Sequence, residues 1–288
     1  MTIAGALTYA NDQIAAAGVE TPRFDAQLLL AWTLKVRREE LAREPERALT
    51  ERERVIFEKA VSLRVLRRPL PYITGEAWFY GRAFKINRAV LIPRPETELL
   101  AELALKACRD VLNPKIADIG TGSGCLAVTL ACERSDARVW ATDLSADALK
   151  EARKNVMRYG LLDRVALLHG DLLSPLPSGL RLDIIVANPP YVTEAELPGL
   201  QPEVRDYEPR LALSGLGDAA GPDGTALHRR ILAEARPFLS TGGSVLLEVG
   251  QGQAERVAET AHELGYAAVT ISNDFSGIGR VVSARTHL

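Results

Sequence analysis

An apolar run, Ile116-Ala117-Asp118-Ile119, passes without a break into Gly120-Thr121-Gly122-Ser123-Gly124 and then into a helical pattern. Three alternate glycines permit turns closed to other residues and let a ligand lie against the main chain. A strand that ends in such a loop and continues as a helix belongs in an open α/β sheet, where ligands bind at the carboxyl ends of the strands. The surrounding pattern agrees. Helices are expected at 97–111, 124–133, 146–159, 226–239 and 252–264. Strands are expected at 115–119, 138–142, 165–169, 182–187 and 244–249, with a closing pair at 266–272 and 280–285. Strands alternating with helices predict a mostly parallel, doubly wound α/β sheet of the Rossmann-like kind.

The N-terminal quarter reads differently. Apolar residues recur at helical spacing through Ile14, Phe24, Leu28, Leu29 and Trp32, with no strand signal. Gly18 ends a first helix, Thr21-Pro22 starts a second, and Thr50-Glu51-Arg52-Glu53 fits a capping box for a third. Aromatic and β-branched residues broken by Gly75 and Gly81 then suggest a short hairpin. With 288 residues, enough for two domains, the expected organisation is a helical bundle at 1–70, a β-hairpin linker at 71–92 and an α/β domain at 93–288.

Charge bears on the partner. A net charge of about −2 argues against a protein whose main task is gripping nucleic acid, which wants a basic excess. Cys108, Cys125 and Cys132 form no metal-ligand pattern with the four histidines, so no metal is expected and unpaired thiols fit a reducing compartment. No stretch approaches the roughly 20 apolar residues of a membrane helix, and the N-terminus lacks a basic leader with an apolar core. The expectation is a soluble, cytoplasmic, monomeric protein with no membrane partner and no stable nucleic acid partner.

The glycine spacing is G-x-G-x-G, not the G-x-G-x-x-G of dinucleotide sites. A ligand without phosphate but with ribose hydroxyls fits better, and S-adenosylmethionine is such a ligand. Asp143, ending the next strand 23 positions after Gly120, is placed to accept from both ribose hydroxyls; its alternative is a helix cap. Asp171, after the following strand, is a candidate acceptor for the adenine amino group, with Leu172 packing on the ring; its alternative is a turn aspartate. The candidate cofactor residues are thus Gly120, Thr121, Gly122, Ser123, Gly124, Asp143, Asp171, Leu172 and Asn188.

Asn188-Pro189-Pro190-Tyr191 follows the strand ending at Ala187. A residue before proline is pushed to extended backbone, and two prolines remove two donors and stiffen the loop. An amide or aryl amine nitrogen is a poor nucleophile because its lone pair is delocalised. Two acceptors, the Asn188 side-chain oxygen and the Pro189 carbonyl, can hold both of its N–H bonds and stabilise the positive charge that develops on methylation. Tyr191 offers a flat face for a planar acceptor. Asn188, Pro189, Pro190 and Tyr191 are the candidate catalytic residues.

Taken together, these residues resemble the class I methyltransferases. Leu91-Ile92-Pro93-Arg94-Pro95-Glu96-Thr97-Glu98, Pro71 to Glu76, Phe79-Tyr80-Gly81, Glu203 to Leu213 and Asp274 to Val282 are similar to the release factor glutamine methyltransferase family, the PrmC/HemK group. That resemblance implies the substrate: the glutamine of the Gly-Gly-Gln motif in class 1 peptide chain release factors, methylated on its side-chain amide. It further implies a helical bundle that helps dock the release factor and a 94–98 segment that borders the pocket. Rival readings are a nucleic acid base methyltransferase, for which the same tetrapeptide serves with a flipped-out base, an NAD(P)-dependent oxidoreductase, and a binding module without turnover.

Overall fold

The computed structural model describes residues 1–217 and 219–287, which form two compact units. The first comprises Met1–Glu76 together with Gln201–Tyr207. Its helices are α1 (Ile3–Ala16), α2 (Pro22–Leu34), α3 (Glu51–Val65) and the single turn α4 (Leu70–Thr74). Thr50 caps α3 in a complete capping box, its hydroxyl accepting from the Glu53 amide while the Glu53 carboxylate accepts from the Thr50 amide. Ile3, Ile14, Leu29, Leu30, Phe57 and Val61 meet in its core. Arg64 is buried there between Asp25 at 2.6 Å and Glu203 at 2.8 Å, and Arg67 also holds Glu203 at 2.7 Å.

The second unit holds Ala77–Leu200 and the described chain from Glu208 onward. A hairpin, β1 (Glu76–Phe79) and β2 (Arg82–Lys85), leads into it. Tyr80 and Gly81 both take positive φ, 49° and 71°, the geometry of a two-residue turn whose twist matches its strands. Next come α5 (Glu96–Ala107), β3 (Lys115–Ile119), α6 (Cys125–Glu133), β4 (Arg138–Asp143), α7 (Ala146–Arg158), β5 (Val165–His169) and β6 (Leu182–Ala187). Two short helices, α8 (Pro202–Arg205, in the first unit) and α9 (Arg210–Leu213), precede α10 (Ala226–Ala235), β7 (Leu239–Glu248), α11 (Ala254–Glu263), β8 (Ala267–Asn273) and β9 (Gly279–Arg285).

The seven-stranded sheet has the order β5-β4-β3-β6-β7-β9-β8. β3 to β7 pair in parallel, and β9 runs antiparallel to both neighbours. Strand side chains alternate between faces. Ile184 and Val186 join one apolar layer with Leu126, Leu130 and Phe84, while Ile185 and Ala187 join the other with Ile231 and Val257. The doubly wound sheet expected from the sequence is present. Several element ends differ from expectation, among them the end of α5, at Ala107 rather than 111. α10 stops at Ala235 because Pro237 lacks the N–H that would continue it. β7 starts at Leu239, and its first residues loop out against β6, with Leu182 opposite Leu239 and Ile184 opposite Ser244. Among the described residues no helix is long and apolar enough to cross a membrane.

Candidate active site

Strand order fixes where a ligand can sit. From β3 the chain moves outward to β4 and β5; from β6 it moves the other way, to β7. The crevice at that reversal is the customary ligand site of an open α/β sheet. Ile119 is in register with Ala187 and with Thr142. The glycine loop, Asn188 and Asp143 therefore leave the sheet at one level on three adjacent strands.

They surround a cavity of about 430 Å³, within the usual range for small-molecule sites. Gly120, Thr121, Gly122, Ser123, Asp143, Asp171, Leu172, Asn188 and Pro190 line it. Gly120 and Gly122 have φ of 75° and 55°, and a Cβ at either would meet no other atom within 4 Å. Their glycine identity keeps the backbone bare where it faces the cavity. Gly124, Pro189 and Tyr191 are outside the lining. A Cβ at Gly124 would fall 3.2 Å from that of Ala152, so this glycine admits the close packing of α6 on α7.

Asp143 is held as an acceptor. Its Oδ2 accepts from the Gly122 amide at 2.8 Å and its Oδ1 from the Ser145 amide at 2.8 Å. Burial pushes its carboxyl up, against those two bonds. Each oxygen keeps lone-pair capacity for a ligand hydroxyl. Asp118, which sequence reasoning passed over inside an apolar strand, also lines the cavity. It is 2% exposed, burial pushes it up to about 7, and Thr121 Oγ1 donates to it at 2.6 Å. Two carboxyls on a largely apolar wall suit a ligand that carries positive charge. Asp171 is paired to Arg230 at 2.8 Å. Leu172 is held in left-handed backbone, φ 46°, with its carbonyl accepting from Thr142 Oγ1 at 2.9 Å. Such a conformation persists only where the surroundings impose it.

Asn188 Nδ2 donates to Thr97 Oγ1 at 3.1 Å, and Thr97 Oγ1 donates to Glu248 Oε2 at 2.6 Å. One N–H of the amide is thereby used, and Oδ1 remains as an acceptor. Behind the loop, Gln253 Nε2 donates to the carbonyls of Tyr191 at 3.1 Å and Asp223 at 3.2 Å. Burial pushes the Tyr191 phenol up to about 12. The flanking segments converge on the same cavity: Leu91, Pro93 and Arg94 from one, Pro209, Leu211 and Ala212 from the other. Arg94 bonds Glu208 at 2.6 Å, and the Ile92 amide donates to the same carboxylate at 3.1 Å. Glu248 had a signal in the sequence, an acid closing an apolar strand as Asp143 does. Gln253 had none.

Residues 5–75 match the family described as PrmC N-terminal domain, and residues 96–199 the one described as Methyltransferase small domain. The chain is 42% identical over 281 residues to the release factor glutamine methyltransferase of Moorella thermoacetica, covering 97% of each chain. It is 40% identical over 290 residues to that of Nitratidesulfovibrio vulgaris, covering 100% of this chain and 96% of the relative. Among solved structures, a methyltransferase from Pyrococcus furiosus superposes with a TM-score of 0.54 at 18% identity, covering 79% of this chain and 98% of its own; that likeness bears on the fold alone. Fold and site define an α/β methyltransferase. Within that class, the chain belongs to the release factor glutamine methyltransferase family.

Proposed function

We propose that this protein transfers a methyl group from S-adenosylmethionine to the side-chain amide nitrogen of the glutamine in the Gly-Gly-Gln motif of class 1 release factors, in support of translation termination. One observation carries the chemistry: Asn188 gives one N–H of its amide to Thr97 and keeps Oδ1 as an acceptor at the cavity that the glycine loop and Asp143 line.

The residues present fit the cofactor. Bare glycine backbone, the Asp143 oxygens and the apolar Leu144 and Leu172 match a methionine chain, a ribose and an adenine, and the Asp118 carboxyl lines the same cavity. When bound, S-adenosylmethionine supplies an electrophilic methyl on a sulfonium. The protein's share is orientation and charge. Asn188 Oδ1 and the Pro189 carbonyl accept the two N–H bonds of the amide, aim its nitrogen and stabilise the charge that develops there. Pro190 stiffens the loop, and Tyr191 is proposed to wall the acceptor side. The helical unit is proposed to dock the release factor. We place the activity in the cytoplasm, with no membrane or stable nucleic acid partner. The monomer is proposed as the working form, because one chain supplies the whole lining.

Labelled methyl transfer tests the reading, with release factor, its Gln-to-Ala variant in Gly-Gly-Gln, and duplex DNA as acceptors. Label on the release factor alone, lost in the variant, is the expected result. Label on DNA points to a base methyltransferase instead, and no label anywhere overturns the proposal.

A further inference from the structure

The carboxylate of Glu248 is 2% exposed and ends β7, the strand next to the one that leads into Asn188, with Ala187 in register with Leu247. Thr97, 5% exposed, stands between Glu248 and Asn188 with its oxygen 2.6 Å from one and 3.1 Å from the other. Resting on the function proposed above, we propose that Thr97 and Glu248 are positioning residues that set which end of the Asn188 amide faces the acceptor nitrogen. An ionised carboxylate only accepts, so the Thr97 hydroxyl has to donate to it. The Thr97 oxygen is then an acceptor toward Asn188, which must present its NH₂ there and its Oδ1 to the other side. A proton on Glu248 lifts that constraint and lets every bond in the chain reverse. The acid donates to Thr97, Thr97 donates to a flipped Asn188, and the NH₂ faces a substrate whose own N–H bonds it cannot accept.

The surroundings hold Glu248 near the balance of its two forms. Burial pushes it up to about 7, against the bond from Thr97. Glu96 from α5 also favours the proton, while Arg280 from β9 and Arg94 ahead of α5 favour the anion. Tyr191 and Cys125 face it as neutral groups. His228 from α10 lies with Nε2 2.8 Å from the Glu248 carbonyl oxygen, and burial pulls that imidazole down to about 4, so it too is neutral.

Steady-state methylation of release factor, followed from pH 5.5 to 8.5, tests this with the Thr97→Val, Thr97→Ser and Glu248→Gln variants. Wild-type kcat should fall tenfold per pH step below a midpoint near that of Glu248. Thr97→Val should lower kcat at pH 8 by about 10- to 100-fold, the scale of a misplaced catalytic group, with KM for the release factor within about threefold of wild type. Thr97→Ser should restore it. Glu248→Gln should lack the acidic limb. Near-full kcat in Thr97→Val, no rescue by serine, or an acidic limb that persists in Glu248→Gln overturns the proposal. A second readout needs no acceptor: the side-chain amide pair of Asn188 in a ¹H–¹⁵N spectrum, identified by its loss in Asn188→Ala, should titrate with Glu248 in wild type and stay still in Glu248→Gln. If wild type methylates no release factor, the functional reading fails, and this titration still decides the positioning chain.

Discussion

Gly224 and Tyr191 approach so closely that a Cβ on the glycine would lie 2.2 Å from the tyrosine carbonyl oxygen and 2.1 Å from Gln253 Nε2. Gly224 also has φ of 74°, so any side chain there is strained as well as obstructed. The bond from Gln253 to Tyr191 would have to break. Gly224→Ala should therefore shift the Asn188–Tyr191 loop and lower kcat by about 10- to 100-fold, as a displacement near 1 Å does, while cofactor affinity changes little. Parallel kinetics and calorimetry check this; a variant with wild-type kcat would show that the loop tolerates the displacement.

Asn188→Ala removes the acceptor oxygen itself. Transfer should drop by about 10²- to 10³-fold, the scale of losing one group that stabilises developing charge, with most of the cofactor affinity retained. Single-turnover transfer from pre-bound cofactor measures this. Near-full activity would remove Asn188 from the chemistry.

Asp143→Asn should weaken cofactor binding by about 10- to 100-fold, from the loss of charged hydrogen bonds worth roughly 1.5–3 kcal/mol. Both carboxylate oxygens accept backbone N–H bonds, from Gly122 and Ser145, so an amide must turn its NH₂ against one of those donors. Titration calorimetry reads the affinity, and an unchanged value would place the ribose elsewhere.

Burial sets Glu248 at about 7 in the folded protein, against 4.5 as its ordinary value. Between those pH values the folded chain keeps a proton that the unfolded chain releases. The stability from this group is thus fully present below pH 4.5 and is lost as pH rises through 7. Glu248→Gln lacks this loss and should gain stability relative to wild type from pH 5 to 8, by at most about 3 kcal/mol. Thermal melts at both ends of the range check the sign; a gap that is constant or closes in the other direction would count against it.

Arg64→Met should destabilise the helical unit by about 3–5 kcal/mol, because Asp25 stays behind as a buried charge without its guanidinium partner, while Glu203 keeps Arg67. Denaturant unfolding measures it. A loss below about 1 kcal/mol would mean that water replaces the guanidinium.

The alternation of strands and helices, the glycine loop, Asp143 and the Asn188–Tyr191 loop were all legible in the sequence. Each leaves a local signature: a hydrophobic period, glycines where φ is positive, or an acid or proline turn at the end of an apolar run. The Tyr80-Gly81 hairpin was legible for the same reason. Gly124 shows the limit of such reading. It is one of three like glycines in sequence, yet only packing against Ala152 separates its role from those of Gly120 and Gly122.

By itself, then, the sequence determined the class of fold, the edge of the sheet that carries the site, and the residues that leave the strands there. Tertiary structure alone decided what stands behind those residues. Thr97 and Glu248 are 151 positions apart, Arg64 and Glu203 are 139 apart, and Gln253 is 62 positions from Tyr191. No period or motif links such pairs, because their meeting depends on strand order and register, which bring distant segments to one level of the sheet. The orientation of the Asn188 amide is set there too, since an amide has two nearly identical ends and only its partners choose between them.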